Sequence, residues 1–270
     1  MRTRVVAAGS LVVLMAVAAA AQFGGPRGPF HEYPNIPYDG RFTFVRLKYT
    51  HGPGGNWYGG WPSWAHGYPL AEQNLMRIMQ EVSDVNPHVD TINAITPDDP
   101  ALFRYPLAYI IEVDWWAMTD AEAAALHTYI LKGGFVIVDD FKPRRGRFGG
   151  RLSGDFSGGY GTGWDVFEAA MKRVMPEGRF VALDASHPIF HAFFEVDRLD
   201  IIPQAYIAGR PEFYGLFEDN DPARRLQMIV NYNTDVSQFW EWSGTGLRPI
   251  DETNEAYKLG VNYVIYGLTH

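Results

Sequence analysis

The chain has 270 residues, with 23 basic and 31 acidic side chains and a formal charge of −8. This acidic excess disfavours binding to nucleic acid or to an anionic membrane surface, because both would repel the chain. The sequence has no cysteine, which excludes disulfides, thiolate metal sites and a Cys nucleophile.

The first 21 residues have the pattern of a signal peptide. Arg2 and Arg4 precede an apolar core over residues 5–18, and three alanines at 19–21 form a small-residue cleavage site. The core is short for a membrane span of roughly 20 residues, which favours cleavage over an uncleaved anchor. Exported eukaryotic proteins of this size usually carry disulfides, and this chain has no cysteine with which to form one. We therefore expect a bacterial periplasmic or secreted protein with no stable membrane span after cleavage.

Residues 22–40 are rich in Pro and Gly and lack periodicity, which predicts a flexible lead-in. A single α/β domain is expected over residues 41–270, a length that suits one sizeable core. Its first strand is predicted over Arg41–Tyr49, where apolar and polar residues alternate. A long Gly/Trp loop should follow over residues 50–68, because no regular element fits its glycines and tryptophans.

Pro69 is suited to the start of a helix, and the residues after it have one apolar face at helical spacing. The residues of that face are Ala71, Leu75, Ile78, Met79 and Val82. A short strand is expected over Val89–Ile95.

Residues 107–141 have a strand–helix–strand pattern. The apolar run Leu107–Val113 is followed by a capping box at Thr119–Glu122 and by a Gly-Gly stop at 133–134. The second strand, from Phe135, is apolar without alternation, as in a strand buried on both faces of a parallel sheet. It closes with Asp139 and Asp140, at the strand end where open α/β sheets bind ligands.

The rest of the chain continues this alternation. A helix is predicted over Trp164–Met175, strands over Phe180–Leu183 and Leu226–Tyr232, and a last helix capped by Asp251. Between them, a Gly/Arg loop is expected over residues 144–163. Strands alternating with helices predict a three-layer α/β sandwich with a mainly parallel sheet.

Five segments, taken in order, resemble the bacterial family called domain of unknown function 4159. They are residues 42–49, 105–110, 131–141, 187–190 and 258–269. The resemblance implies a fold similar to class I glutamine amidotransferase-like domains, which are flavodoxin-like. Those enzymes need a Cys thiolate activated by a His, so glutaminase chemistry is excluded here. The family brings no established catalytic residues.

Asp139 and Asp140 can orient a substrate, bind a cation or act as a base. Adjacent carboxylates on a strand point to opposite faces, so only one would enter a cleft unless the strand ends between them. The alternative is that one caps the next turn and the other is solvated. We favour placement in a ligand site, with no catalytic residue assigned.

His187 and His191 have the i, i+4 spacing of metal ligands, and Glu195 follows at another four residues. Pro188 fits only the first turn of a helix, and no further ligand is identifiable. We therefore expect a turn histidine and a surface histidine, with no metal site and no cofactor. His187 is kept as a candidate ligand-binding residue.

The tryptophans can stack on sugar rings or anchor loops to the core, and we favour packing. Trp115 and Trp116, which follow a strand, are the exception and remain candidate ligand-binding residues together with Arg46. The arginines at 144–151 can clamp an acidic ligand, but a solvated loop is the preferred interpretation. No nucleophile elbow, zinc-protease motif or dinucleotide turn is present.

The leading functional hypothesis is a non-catalytic exported domain that binds an unknown small molecule or an envelope protein at the carboxyl edge of its sheet. One alternative is a periplasmic hydrolase, with a glycan as one candidate substrate, that uses Asp139 or Asp140 with His187. Another is an assembly component of an envelope complex that uses the Trp loops as its contact surface.

Overall fold

The computed structural model describes residues 30–53, 55–56, 60–140, 163–203 and 210–270. Within these residues the fold is α/β, with one seven-stranded sheet in the order β2-β1-β3-β4-β7-β6-β5. The strands are β1 (Val45–Leu47), β2 (Asn93–Ile95), β3 (Leu107–Ile111), β4 (Phe135–Asp139), β5 (Phe180–Leu183), β6 (Glu212–Phe217) and β7 (Leu226–Tyr232). Strands β2, β1, β3, β4 and β7 are parallel, whereas β6 is antiparallel to both β7 and β5.

Five α-helices accompany the sheet in the described residues. They are α1 (Leu70–Val82), α2 (Asp120–Leu131), α3 (Gly163–Val174), α4 (Val236–Glu241) and α5 (Ile250–Thr269). Helices α1, α4 and α5 pack together as one group, and α2 packs on α3 as another. Right-handed crossovers that run in opposite directions along the sheet place these two groups on opposite faces. None of the described helices is long and apolar enough to cross a bilayer.

The buried central strands confirm the interpretation of their apolar runs. Every residue of β3 and β4 is buried, as expected for parallel strands covered on both faces. The predicted capping box of α2 is present. Thr119 Oγ1 accepts from the N–H of Glu122 at 3.1 Å, and Glu122 Oε2 accepts from the N–H of Thr119 at 2.7 Å. The predicted bounds of β5 and β7 agree with the structure.

Other boundaries differ for local physical reasons. Strand β1 covers Val45–Leu47, whereas the predicted strand covered Arg41–Tyr49. All three residues of β1 pair with β2, which is itself only three residues long. The alternation of the predicted strand suggested one-sided burial, yet Val45, Arg46 and Leu47 are all buried, since β1 lies inside the sheet. Asp251 does not cap α5. It lies in the first turn, where its negative charge interacts favourably with the helix dipole.

The segment before β1 contacts the edge of the sheet where it is described. The side-chain amide of Asn35 pairs with Ala94 of β2, accepting from its N–H at 2.7 Å and donating to its carbonyl at 2.9 Å. The side chain of Asn93 makes the reciprocal pair with the backbone of Ile36, both bonds at 3.0 Å. These contacts fix part of the lead-in to strand β2.

The chain direction reverses between β1 and β3. From β1 the chain passes through α1 to β2 on one side, and from β3 it passes through α2 to β4 on the other. Connections that leave neighbouring strands in opposite directions open a crevice at the carboxyl edge of the sheet. The fold therefore predicts a ligand crevice beside the ends of β1 and β3.

Candidate functional site

One imidazole and two carboxylates meet at this carboxyl edge. Glu112 follows β3 directly, and Asp140 follows β4, the neighbouring strand. His66 reaches the same place from the loop after β1, on the other side of β3. Three separate connections therefore converge beside the reversal point between β1 and β3.

The three side chains are close enough to share one ion. His66 Nδ1 lies 3.2 Å from Glu112 Oε1 and 3.3 Å from Asp140 Oδ2. One ligand atom from each residue lies within 4.8 Å of the other two. The side chain of Glu112 is fully buried, and those of Asp140 and His66 are only 5% and 10% exposed.

Backbone geometry brings the two carboxylates together. Glu112 has a φ of 48° and Asp140 a φ of 53°, so both residues adopt the left-handed conformation. This conformation costs a non-glycine residue of order 1 kcal/mol, and such strain concentrates at functional sites. Because β4 ends at Asp139, Asp140 is free of the strand alternation that would separate the paired aspartates.

The electrostatics of the cluster are dominated by carboxylates. Burial and the nearby Asp140 raise the pKa of Asp235, which follows β7, well above its ordinary value. Burial alone would lower the pKa of His66, but hydrogen bonding to Asp140 and Glu112 outweighs it and raises that pKa well above its ordinary value. Positive charge is therefore stabilised at this place.

Asp139, a sequence-predicted site residue, is a structural carboxylate. It is fully buried and accepts from Tyr109 Oη at 2.6 Å and from Asn231 Nδ2 at 3.1 Å. It also accepts from the backbone N–H groups of Val236 and Ser237, at the start of α4. These four donors fix β3, β7 and α4 to β4, so Asp139 supports the site from within the core.

Arg46 is also buried completely. It forms an ion pair with Glu72 of α1, and its Nη1 donates to the carbonyls of Trp64 at 2.8 Å and His66 at 3.0 Å. Arg46 therefore contacts the loop that carries His66.

Trp115 and Trp116 are packed into the protein. Their exposed fractions are only 9% and 6%, and the carbonyl of Trp115 accepts from the N–H of Gly52 at 2.9 Å. The ring of Trp116 lies 5.9 Å from that of Tyr49. Both tryptophans therefore anchor the Gly-rich loop to the segment after β3.

His187 lies at the opposite edge of the sheet. Its Nδ1 accepts from the N–H of Ile189 at 3.2 Å, and its ring lies 5.6 Å from that of Phe217. Phe217 pairs with Leu226, the first residue of β7, so His187 is at the amino edge of the parallel strands. The hydrolase alternative needs His187 close to Asp139 or Asp140, and the structure places His187 at the other edge from both.

The exposed group of His191, Glu195 and Asp197 is the second cluster with metal-ligand spacing in the described residues. Both ring nitrogens of His191 are already engaged, by Glu195 Oε2 and by the carbonyl of Ala185, each at 2.5 Å. The Ala185 carbonyl and Glu195 raise the pKa of His191. Glu195 and Asp197 are exposed, and exposed acidic groups are common without a metal, so we interpret this cluster as a surface ion pair.

Sequence reasoning missed His66 and Glu112. His66 lies in a Gly-rich loop with no local motif. Glu112 offered a signal, because it is an acidic residue inside the apolar run Leu107–Val113. A carboxylate at the end of a buried strand is rarely tolerated without a partner.

Some of the sequence-based expectations fall outside the described residues. They are the signal peptide, Trp57 and the arginines at 144–151.

Comparison with known proteins gives the family. Residues 43–268 match the family model described as Domain of unknown function (DUF4159). The chain therefore belongs to this family, which confirms the resemblance of its five segments. A search of the curated proteins gave no match to the chain.

Proposed function

We propose that this chain binds a divalent transition-metal ion, such as Zn²⁺ or Mn²⁺, through His66, Glu112 and Asp140. The observation that carries the proposal is the spacing of 3.2 and 3.3 Å between His66 Nδ1 and the two carboxylate oxygens. Ligands bound at about 2.0–2.1 Å in a tetrahedron lie about 3.3 Å apart. Charge-assisted hydrogen bonds are usually shorter, at about 2.7–2.9 Å.

The donor set and its burial support the same proposal. Imidazole suits Zn²⁺, Fe²⁺ and Ni²⁺, while carboxylate oxygens also suit Mn²⁺. The two carboxylates and the imidazole are all largely buried, and together they offer two oxygen donors and one nitrogen donor to a divalent cation.

The proposed role of the ion is to capture a ligand. Three protein ligands leave at least one position of a tetrahedral ion for an outside atom. We infer that this position receives an oxygen atom of a small molecule or of an envelope protein. The chain is then a metal-dependent, non-catalytic binding domain whose ligand enters at the carboxyl edge of the sheet.

A metal-dependent hydrolase is the second candidate, favoured by the same count of three protein ligands. Zinc enzymes commonly combine three protein ligands with a bound water whose pKa the metal lowers. This candidate replaces the earlier pairing of an aspartate with His187. It requires zinc-dependent turnover of p-nitrophenyl acetate or bis-p-nitrophenyl phosphate that disappears in Glu112→Gln.

The test of the metal site is calorimetric titration of chelator-treated protein with Zn²⁺ and Mn²⁺. We expect one ion per chain, and an affinity more than about 100-fold weaker in His66→Ala, Glu112→Gln and Asp140→Asn, because a lost ligand should cost more than a lost outer-shell partner. The matched control is His191→Ala, which removes a histidine that is also paired with a carboxylate. Equal affinities in His66→Ala and His191→Ala would refute the proposal.

Two broader proposals accompany it. We propose a fold similar to class I glutamine amidotransferase-like domains, supported by the five parallel strands with helix groups on both faces. We also propose export to the bacterial periplasm or cell surface, supported by the basic, apolar and small-residue order of residues 1–21. Amino-terminal sequencing of protein from the periplasmic fraction should begin at Gln22; an intact Met1 would contradict export with cleavage.

A further inference from the structure

We infer that Arg46 is the positioning residue of the proposed metal site, holding the His66 backbone in place from within the core. This inference rests on the proposed metal site. It gives Arg46 a role different from direct ligand binding, because the side chain is fully buried and acts through its neighbours.

The first step is the link from Arg46 to the loop. One nitrogen, Nη1, donates to the carbonyls of both Trp64 and His66, which bracket the turn that presents the imidazole. In the described residues between β1 and α1, the backbone forms the short 3₁₀ turn Ser63–Ala65 directly before His66. The guanidinium adds two side-chain hydrogen bonds to the backbone of this loop, one on either side of Ala65.

The second step is the link from Arg46 to its own support. Its Nε donates to Glu72 Oε1 at 2.5 Å, and Glu72 is fully buried on α1. A planar guanidinium held on one side by a carboxylate points its remaining donors in fixed directions. The orientation of the His66 loop is thereby set by α1.

The third step joins the other half of the site. The Arg46 guanidinium lies 5.0 Å from the centre of the Tyr109 ring, within cation–π range. Tyr109 Oη donates to Asp139, the residue before Asp140. Arg46 therefore links α1 to two parts of the site, directly to the His66 loop and through Tyr109 to the end of β4.

The principal test compares Arg46→Lys with Arg225→Lys. Lysine keeps the charge but loses the fork, so it cannot serve Glu72 and two carbonyls together. Arg225 is the matched control, because it also donates to backbone carbonyls, those of Ile130, Gly133 and Gly134, at the opposite edge of the sheet. The readouts are Zn²⁺ affinity and the visible absorption spectrum of the Co²⁺-substituted protein, which reports coordination geometry.

We expect Arg46→Lys to bind Zn²⁺ about 10- to 100-fold more weakly, as outer-shell changes do, and to alter the Co²⁺ spectrum. Arg225→Lys should change neither. If Arg46→Lys fails to fold, the double variant Arg46→Met/Glu72→Met decides the matter, because it leaves no uncompensated buried charge. The same weakening is expected in that variant.

The outcomes separate this inference from the proposal beneath it. Wild-type affinity and spectrum in Arg46→Lys, with binding lost in His66→Ala, would overturn the positioning role alone. Unchanged binding in both variants would overturn the metal site itself. If neither Arg46→Lys nor the double variant folds, Arg46 is a folding residue and the inference is overturned.

Discussion

The two edges of the sheet use histidine in opposite ways. At the carboxyl edge, His66 faces Glu112 and Asp140, and its pKa is held well above the ordinary value against the effect of burial. At the amino edge, His187 lies among aromatic rings and accepts a backbone hydrogen bond, and burial lowers its pKa. The comparison teaches that the fold, rather than local spacing, decides which histidine faces charge.

The same comparison explains why the adjacent aspartates differ. Asp139 is the last residue of β4 and points into a set of donors, while Asp140 lies beyond the strand in the left-handed conformation. The first carboxylate therefore belongs to the core, and the second to the proposed site. Replacing each in turn separates stability from binding.

The largest effect is expected from Asp139→Ala. Four donors, including Tyr109 Oη and the N–H of Ser237, would lose their acceptor inside the core. We expect the free energy of unfolding to fall by about 4 kcal/mol, measured by urea denaturation. His187→Ala, which removes a cap and the ring contact with Phe217 at the amino edge, should cost less, about 1–2 kcal/mol. Similar losses of unfolding free energy in the two variants would contradict the different roles assigned to Asp139 and His187.

Protonation gives the next contrast. In the metal-free protein, His66 should remain charged at pH 7 while His187 is neutral, as read from imidazole NMR resonances assigned with His66→Ala and His187→Ala. The contribution of His66 to stability is complete below its unfolded pKa of about 6.5 and is lost as pH rises through the raised folded value. That of His187 is complete above about 6.5 and is lost as pH falls through its lowered folded value.

Two titrations that both centre near the ordinary histidine pKa would contradict this contrast. So would a reversal, with the His66 resonances moving at the lower pH.

The smallest effect concerns the backbone at the end of β3. Glu112→Gly removes the carboxylate but also the strain of a φ of 48°, whereas Glu112→Gln removes only the charge. We expect the glycine variant to be about 1 kcal/mol more stable than the glutamine variant in urea denaturation. Both should lose Zn²⁺ binding alike. A glycine variant less stable than the glutamine variant would show that this conformation carries no strain.

Much of the architecture was predictable because it is encoded locally. The Thr119 capping box, the glycines that end α2 and the unbroken apolar run of β4 each act within a few residues. Strand β6 and helix α4 were not predicted, because Glu212–Phe217 contains a mid-strand glycine and Val236–Glu241 is less than two turns long. Weak local patterns of this kind are fixed by tertiary packing.

The site was predictable only in part. Its edge and one member, Asp140, followed from the rule that ligands bind beyond the carboxyl ends of parallel strands. His66 could not be found, because nothing in a Gly-rich loop indicates that Arg46 anchors it beside β3. The i, i+4 histidine pair was locally attractive but occupies the other edge.

The paired amides at strand β2 have a consequence for the solution behaviour of the chain. A strand at the end of a sheet exposes backbone groups that a second molecule can join, and proteins protect such edges from aggregation. Here the side-chain amide of Asn35 bonds both the N–H and the carbonyl of Ala94, as the backbone of a neighbouring strand would. Asn35 and Ile36 thus occupy hydrogen-bonding groups of the edge strand and its side chains, and a truncated chain that begins at β1 would leave the backbone groups of Ala94 open to pairing with another molecule.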